Sequence, residues 1–253
     1  MRRLFALMGL SVTLAAPLHA SPVDIGGGVE HFVWQEYDPA GGKLLKESGQ
    51  RLFVSLGADN EVSDRWIYGF RGRLYSGTVN CNGQLKTGTT CTQDTDYEGI
   101  SATADFTGRF IGTDGRYSDL ALRLGLGGEG WRRRVQGAGS FTEEYTVLFG
   151  KLGFAYIPEQ GLFGEAGVKY PLSVHEDVKL YDSVSLSPQG AFSPFATVGY
   201  NFNQRWSIRG YYDGYRFKSS DPKPLYDGGV FVRDVSQPKT NMDTFGITVG
   251  FYF

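Results

Sequence analysis

Apolar and polar residues alternate along most of this chain. At the C-terminus Phe245, Ile247, Val249, Phe251 and Phe253 share one parity, and Thr244, Gly246, Thr248, Gly250 and Tyr252 the other. Leu120, Leu122, Leu124 and Leu126 alternate in the same way with Ala121, Arg123, Gly125 and Gly127. So do Trp66, Tyr68, Phe70 and Leu74 with Ile67, Gly69, Arg71, Arg73 and Tyr75. A period of two marks a strand whose faces meet different surroundings. Further copies lie near 23–36, 50–58, 97–110, 143–157, 162–172, 191–202 and 205–217, so ten strands are expected. Eight or twelve would follow if a segment were split or merged, most readily where Gly229-Val230-Phe231-Val232-Arg233 interrupts the last connection.

The connections sort by length. Long ones are expected near 37–49, 78–96, 130–142, 173–190 and 218–242, and short ones at 59–64, 112–118, 158–161 and 203–204. Each strand has about the 9–11 residues a tilted strand needs to cross a bilayer, and long/short alternation is the habit of a barrel that does so. The fold class read here is all-β: a closed antiparallel transmembrane barrel with long external loops and short periplasmic turns. Alternation alone does not say which parity points inward, and a soluble barrel would reverse it. Two features favour polar-inward. Aromatics gather on the apolar parity near the short turns (Trp66, Phe110, Tyr156, Phe202, Trp206, Phe253), as an interfacial girdle would. The polar parity is rich in Gly, Ser and Thr, and its bases are mostly Arg, the residue suited to enclosed charge pairs.

Composition agrees with strands and turns. The 253 residues include 36 Gly, about twice the usual share, with 18 Phe, 15 Tyr and 4 Trp. The 25 Lys+Arg against 27 Asp+Glu lack the basic excess of a nucleic-acid binder. Residues 1–20 read as a signal peptide: a basic Met1-Arg2-Arg3, a short apolar run, and Leu18-His19-Ala20 before the cut. Residues 21–253 then form one barrel domain. Export places Cys81 and Cys91 in an oxidising compartment, ten positions apart in a polar segment, where they read as a loop disulfide. No His lies beside them to suggest a metal pair.

The exported start, the ten alternating segments and the ending Thr248-Val249-Gly250-Phe251-Tyr252-Phe253 resemble Gram-negative outer-membrane β-barrel proteins, a porin-like and OmpA-like superfamily. The resemblance implies outer-membrane localisation, contact with lipid and lipopolysaccharide, and recognition of Phe251 and Phe253 by the barrel-assembly machinery. It points to no single functional subfamily.

The inward parity carries Asp24, Glu30, Asp105, Glu129, Glu165 and Asp213 against Arg51, Arg71, Arg73, Arg109, Arg123, Lys151, Lys169 and Arg209. Ten strands enclose little free space, so these charges are expected to pair and largely plug the lumen. Function then falls to the external loops, in surface binding or envelope integrity toward an unknown external ligand, with a narrow pore for small solutes as the alternative. Arg132-Arg133-Arg134 sits where lipopolysaccharide phosphates would lie, and guanidinium groups bind phosphate bidentately. Omptin-type surface proteases also use ten strands, with acids and a His–Asp pair at the rim, and His175-Glu176-Asp177 is the one run here that invites that comparison. No Gly-x-Ser-x-Gly elbow, phosphate loop, zinc-spaced set or calcium loop occurs. The expectation is a monomeric non-enzyme without cofactor, metal or nucleic-acid partner.

Overall fold

The computed structural model describes residues 23–84, 90–113, 115–137, 140–203 and 205–253, with the side chains of Gln84 and Cys91 outside the description. Ten long strands form one antiparallel sheet: β1 (Val23–Tyr37), β2 (Lys43–Glu61), β3 (Trp66–Gln84), β4 (Asp94–Ile111), β5 (Tyr117–Val135), β6 (Phe141–Tyr156), β7 (Gly161–Lys179), β8 (Gln189–Ala191 and Ser193–Asn201), β9 (Trp206–Lys218) and β10 (Lys239–Tyr252). Each strand pairs with its sequence neighbours, and β10 pairs with both β9 and β1, so the sheet closes without an edge. Ile25 lies opposite Phe251 on one side of β10, and Ile208 opposite Val249 on the other. The Phe253 amide donates to the Val23 carbonyl, tying the chain's last residue to the first described one.

The strands outrun the lengths read from the sequence. The expected loop at 37–49 reduces to the turn at 38–42, and the loops expected at 78–96, 130–142 and 173–190 are largely extensions of β3, β4, β5, β6 and β7. The physical reason is visible on β5. Up to Gly128 the outward parity is Leu120, Leu122, Leu124 and Leu126, while the inward parity carries Arg123, Gly125 and Gly127. Beyond it the outward residues are Arg132 and Arg134, and the inward ones Trp131, Arg133 and Val135. The strand and its parity continue, but the apolar face has changed sides, so a pattern tuned to one polarity reads the extension as a loop.

Three shorter pieces decorate this far end. Thr90–Cys91 returns beside the end of β3, Val184–Leu186 folds back on β7, and Lys223–Asp227 with Val230–Val235 makes a separate hairpin. The hairpin turns at Gly228 and Gly229, with φ of 56° and 84°, a double left-handed turn that favours glycine. Part of the segment 229–233 is thus strand above the barrel, as its apolar run allows, and not an eleventh wall strand.

Candidate functional site

Strand parity aims one residue in two at the lumen, which is built in three tiers. The tier nearest the termini and short turns is polar and open. There Arg71 pairs with Asp59 (2.6 Å), Arg109 with Glu61 (2.8 Å), Arg209 with Asp24 (2.7 Å), and Glu165 receives both Arg123 (2.7 Å) and Lys151 (2.9 Å). All of these but Asp24 line a cavity of about 740 Å³ that also takes in Asn60 at the end of β2 and the turn residues Pro158 and Asn203. A smaller cavity of about 220 Å³ continues from it, walled by Ser55, Ser101, Thr103 and Thr248.

The middle tier fills the lumen with buried charge. Glu30, 1% exposed, takes Arg51 at 2.6 Å, Arg73 at 3.0 Å and the Tyr211 hydroxyl. Glu129 accepts from the Tyr75 and Tyr215 hydroxyls, both at 2.8 Å, and faces Arg73 at 3.8 Å. Lys169 pairs with Asp213 at 2.7 Å and holds its ammonium 3.3 Å from the centre of the Tyr215 ring. The Arg51 guanidinium lies over Phe32 and Tyr75. Burying charge is costly unless it is matched, and in this tier aromatic faces and hydroxyls complete what the ion pairs leave.

The outer tier is an aromatic core. Trp131 stacks on Tyr145 (4.7 Å, 10° between planes), Trp34 meets both edge-on, and Tyr215 stacks on Phe217. Through this core runs a second buried network. Arg133 donates to Glu47 (2.9 Å) and Glu143 (2.6 Å), Tyr97 donates to Glu47, and Trp34 Nε1 donates to Glu36 (2.9 Å). The Tyr145 hydroxyl donates to Gln237 at 3.2 Å. Burial pushes that hydroxyl's pKa well up, and the Glu143 and Glu176 carboxylates add to the shift, so Tyr145 is a proton donor at all ordinary pH.

The outer wall inverts this arrangement. Around the two inner tiers it exposes Leu52, Leu56, Phe70, Leu124, Phe154, Leu162, Val198 and Ile247, while the residues facing inward at the same level are charged. Trp206, Phe202, Tyr156 and Phe110 ring the turn end. Water would favour the opposite arrangement at an energetic scale of about 25 cal/mol per Å² of apolar surface, so this belt belongs in lipid.

The architecture is that of a membrane-spanning β-barrel.

Solved barrels of this kind are similar in outline. The translocator domain of the autotransporter NalP from Neisseria meningitidis is 10% identical, covering 91% of this chain and 88% of that one at a TM-score of 0.47. An outer membrane channel from Pseudomonas putida F1 is 11% identical, covering 92% and 95% at 0.46. Ail, the attachment invasion locus protein of Yersinia pestis, solved with the heparin analogue sucrose octasulfate, is 12% identical, covering 92% and 99% at 0.40. No family model and no curated protein matches the chain.

Within the barrel, the inward charges read from the sequence lie in the two inner tiers. Of these, Asp105 alone makes no ion pair among the described residues, and its Oδ1 has no hydrogen-bond partner. Their partners Asp59, Glu61, Tyr75, Tyr211 and Tyr215 were not singled out beforehand, and neither was the outer network of Glu36, Glu47, Glu143 and Gln237. The signal existed for part of it: Phe32, Trp34 and Glu36 continue the inward parity of Glu30.

The Arg132-Arg133-Arg134 run does not act as one patch, which corrects the sequence reading. Arg133 is buried inside the barrel, because consecutive strand residues point to opposite faces. Arg132 and Arg134 face outward just beyond the apolar belt, and Arg132 bridges Glu98 (2.6 Å) and Glu144 (3.2 Å). The same rule divides His175-Glu176-Asp177. His175 Nε2 lies 3.2 Å from Asp177 Oδ1 on the outer wall, while Glu176 is buried within. Cys81 is buried and the Cys91 backbone lies opposite Gly83, but the expected disulfide rests on the Cys91 side chain, outside the described residues. The expected signal peptide, 1–20, also lies outside them. Phe251 packs between Trp206 and Phe253 on the lipid face.

Proposed function

We propose that the protein is a Gram-negative outer-membrane barrel closed to solutes, which acts in surface binding or envelope integrity through its external end and performs no chemistry of its own. The observation that carries this reading is the filled outer half of the lumen. The buried Glu30–Arg51–Arg73–Glu129 tier and the buried Trp34–Trp131–Tyr145 core occupy the lumen beyond the inner cavity. In this reading residues 1–20 are cleaved on export, the termini and short turns face the periplasm, and Cys81 and Cys91 are bonded. Arg132 and Arg134 meet lipopolysaccharide phosphates at the upper rim of the belt, and terminal Phe253 is read by the assembly machinery. The barrel is a monomer.

Single-channel conductance of the refolded mature protein tests this. Electrical silence from a folded, heat-modifiable barrel is the expected result. Steady steps proportional to salt would overturn it in favour of the second reading, a narrow pore for small solutes, which the 740 Å³ inner cavity supports. An omptin-like hydrolase is less favoured, because His175 and Asp177 stand on the outer wall while Glu176 is enclosed. Peptide cleavage abolished by His175→Ala would be needed to restore it.

A further inference from the structure

The inner cavity ends blind against the charged tier, and one of its wall groups is left over. Asp105 is 7% exposed and lines the cavity; its Oδ1 has no hydrogen-bond partner, and it makes no ion pair among the described residues. Its carboxylate lies back over Gly125, where a Cβ would come within 2.3 Å of Oδ1, so the backbone is cut away to hold it. On the wall of the same cavity, Asn201 Oδ1 also lacks a hydrogen-bond partner among the described residues. Arg71, Arg109, Arg123, Lys151, Arg209, Asp59, Glu61, Asp24 and Glu165 of the inner tier are all engaged in ion pairs, and Glu159 is exposed in the turn after β6.

We infer that this vestibule is a binding site for a neutral, hydroxyl-rich solute of mono- to disaccharide size, entering from the periplasmic end. Charge decides the class. The larger cavity is lined by five bases (Arg71, Arg109, Arg123, Lys151, Arg209) and five acids (Asp59, Glu61, Asp105, Glu159, Glu165), so neither an anion nor a cation gains from its wall as a whole. What remains unspent is hydrogen-bond acceptance at Asp105 and Asn201, which hydroxyl groups satisfy without bringing charge. The wall is completed by the apolar surfaces of Phe163, Ile67 and Ile157, against which the C–H face of a sugar ring packs. A volume near 740 Å³ falls in the range of small-ligand sites. This inference goes beyond the closed-barrel reading, and conductance does not decide it.

The test is calorimetric titration of the refolded barrel with sucrose and trehalose in a detergent free of sugar headgroups, with choline and inorganic phosphate as charged probes. Saturable one-to-one binding of a disaccharide is expected. Asp105→Ala should weaken it about tenfold or more, the scale of one hydrogen bond to a charged group, and Asn201→Ala should weaken it less. Unchanged heat-modifiable mobility shows that both variants fold. Absence of saturable disaccharide binding, binding indifferent to Asp105→Ala, or tighter binding of choline or phosphate would each overturn the assignment.

Discussion

Arg133 of β5 donates from Nε to Glu47 Oε2 of β2 at 2.9 Å, joining residues 86 apart in sequence across the closed outer lumen. A second carboxylate, Glu143, holds Nη1 at 2.6 Å, and all three side chains are 1% exposed or less. Removing the guanidinium strands two carboxylates in an aromatic core. Arg133→Met should therefore cost about 3–5 kcal/mol. Pairing it with Glu47→Gln and Glu143→Gln should recover a good part of that loss. Urea midpoints by heat-modifiable gel mobility decide it; a single variant as stable as wild type would refute the buried triad.

Trp131 sits between Tyr145, stacked at 4.7 Å, and Trp34, edge-on at 6.4 Å. Truncating a fully buried indole removes those contacts and leaves a void. Trp131→Ala is expected to cost about 3–5 kcal/mol, by the same measurement. The same variant also removes part of the outer seal, so conductance steps appearing only in it would localise the closure to this tier.

The lipid face predicts a change of sign along one strand. Leu124 is about half exposed, and in water Arg at that position would cost little. Near the middle of the belt, Leu124→Arg should cost about 2–4 kcal/mol. Outward Arg134, beyond the belt, should tolerate Leu within about 0.5 kcal/mol. Folding yields into phospholipid vesicles compare the two, and equal tolerance would contradict the placement of the bilayer.

Glu144 supplies a pH dependence at the outer rim. Burial opposes its ionisation, but Lys179 at 2.5 Å and Arg132 at 3.2 Å outweigh that and hold its carboxyl below the usual range. A carboxyl lowered in the folded state adds stability above its unfolded pKa, and that contribution fades as pH falls through the folded value. Glu144→Gln should therefore narrow the stability difference between neutral and acidic pH. Denaturation at pH 7 and at pH 3 measures it; an unchanged difference would dismiss the pair as inert.

Much of the barrel was legible beforehand because membrane and lumen impose opposite demands on alternate residues. Leu120, Leu122, Leu124 and Leu126 against Arg123 and Gly125 can satisfy both only as a strand. The inner-tier charges were readable for the same reason, since an Arg or Asp on the inward parity has nowhere else to go. The outer tier was hidden. There water replaces lipid outside and apolar side chains replace charges inside, so Trp131 and Val135 turn inward while Arg132 and Arg134 face out, in a segment that reads as loop if the apolar face is assumed constant. Only adjacency in sequence made Arg132-Arg133-Arg134 look like one patch.

The sequence by itself determined the strands and the all-β class through local alternation, and which parity faces lipid through the aromatics near the short turns and the Arg-rich polar parity. The tertiary structure decided which charges meet. Strand stagger and closure bring Glu47 to Arg133 and Asp24 to Arg209, residues 185 apart, and leave Asp105 Oδ1 without a hydrogen-bond partner. Such pairings depend on register around a ring, a property of the closed sheet that no single strand carries.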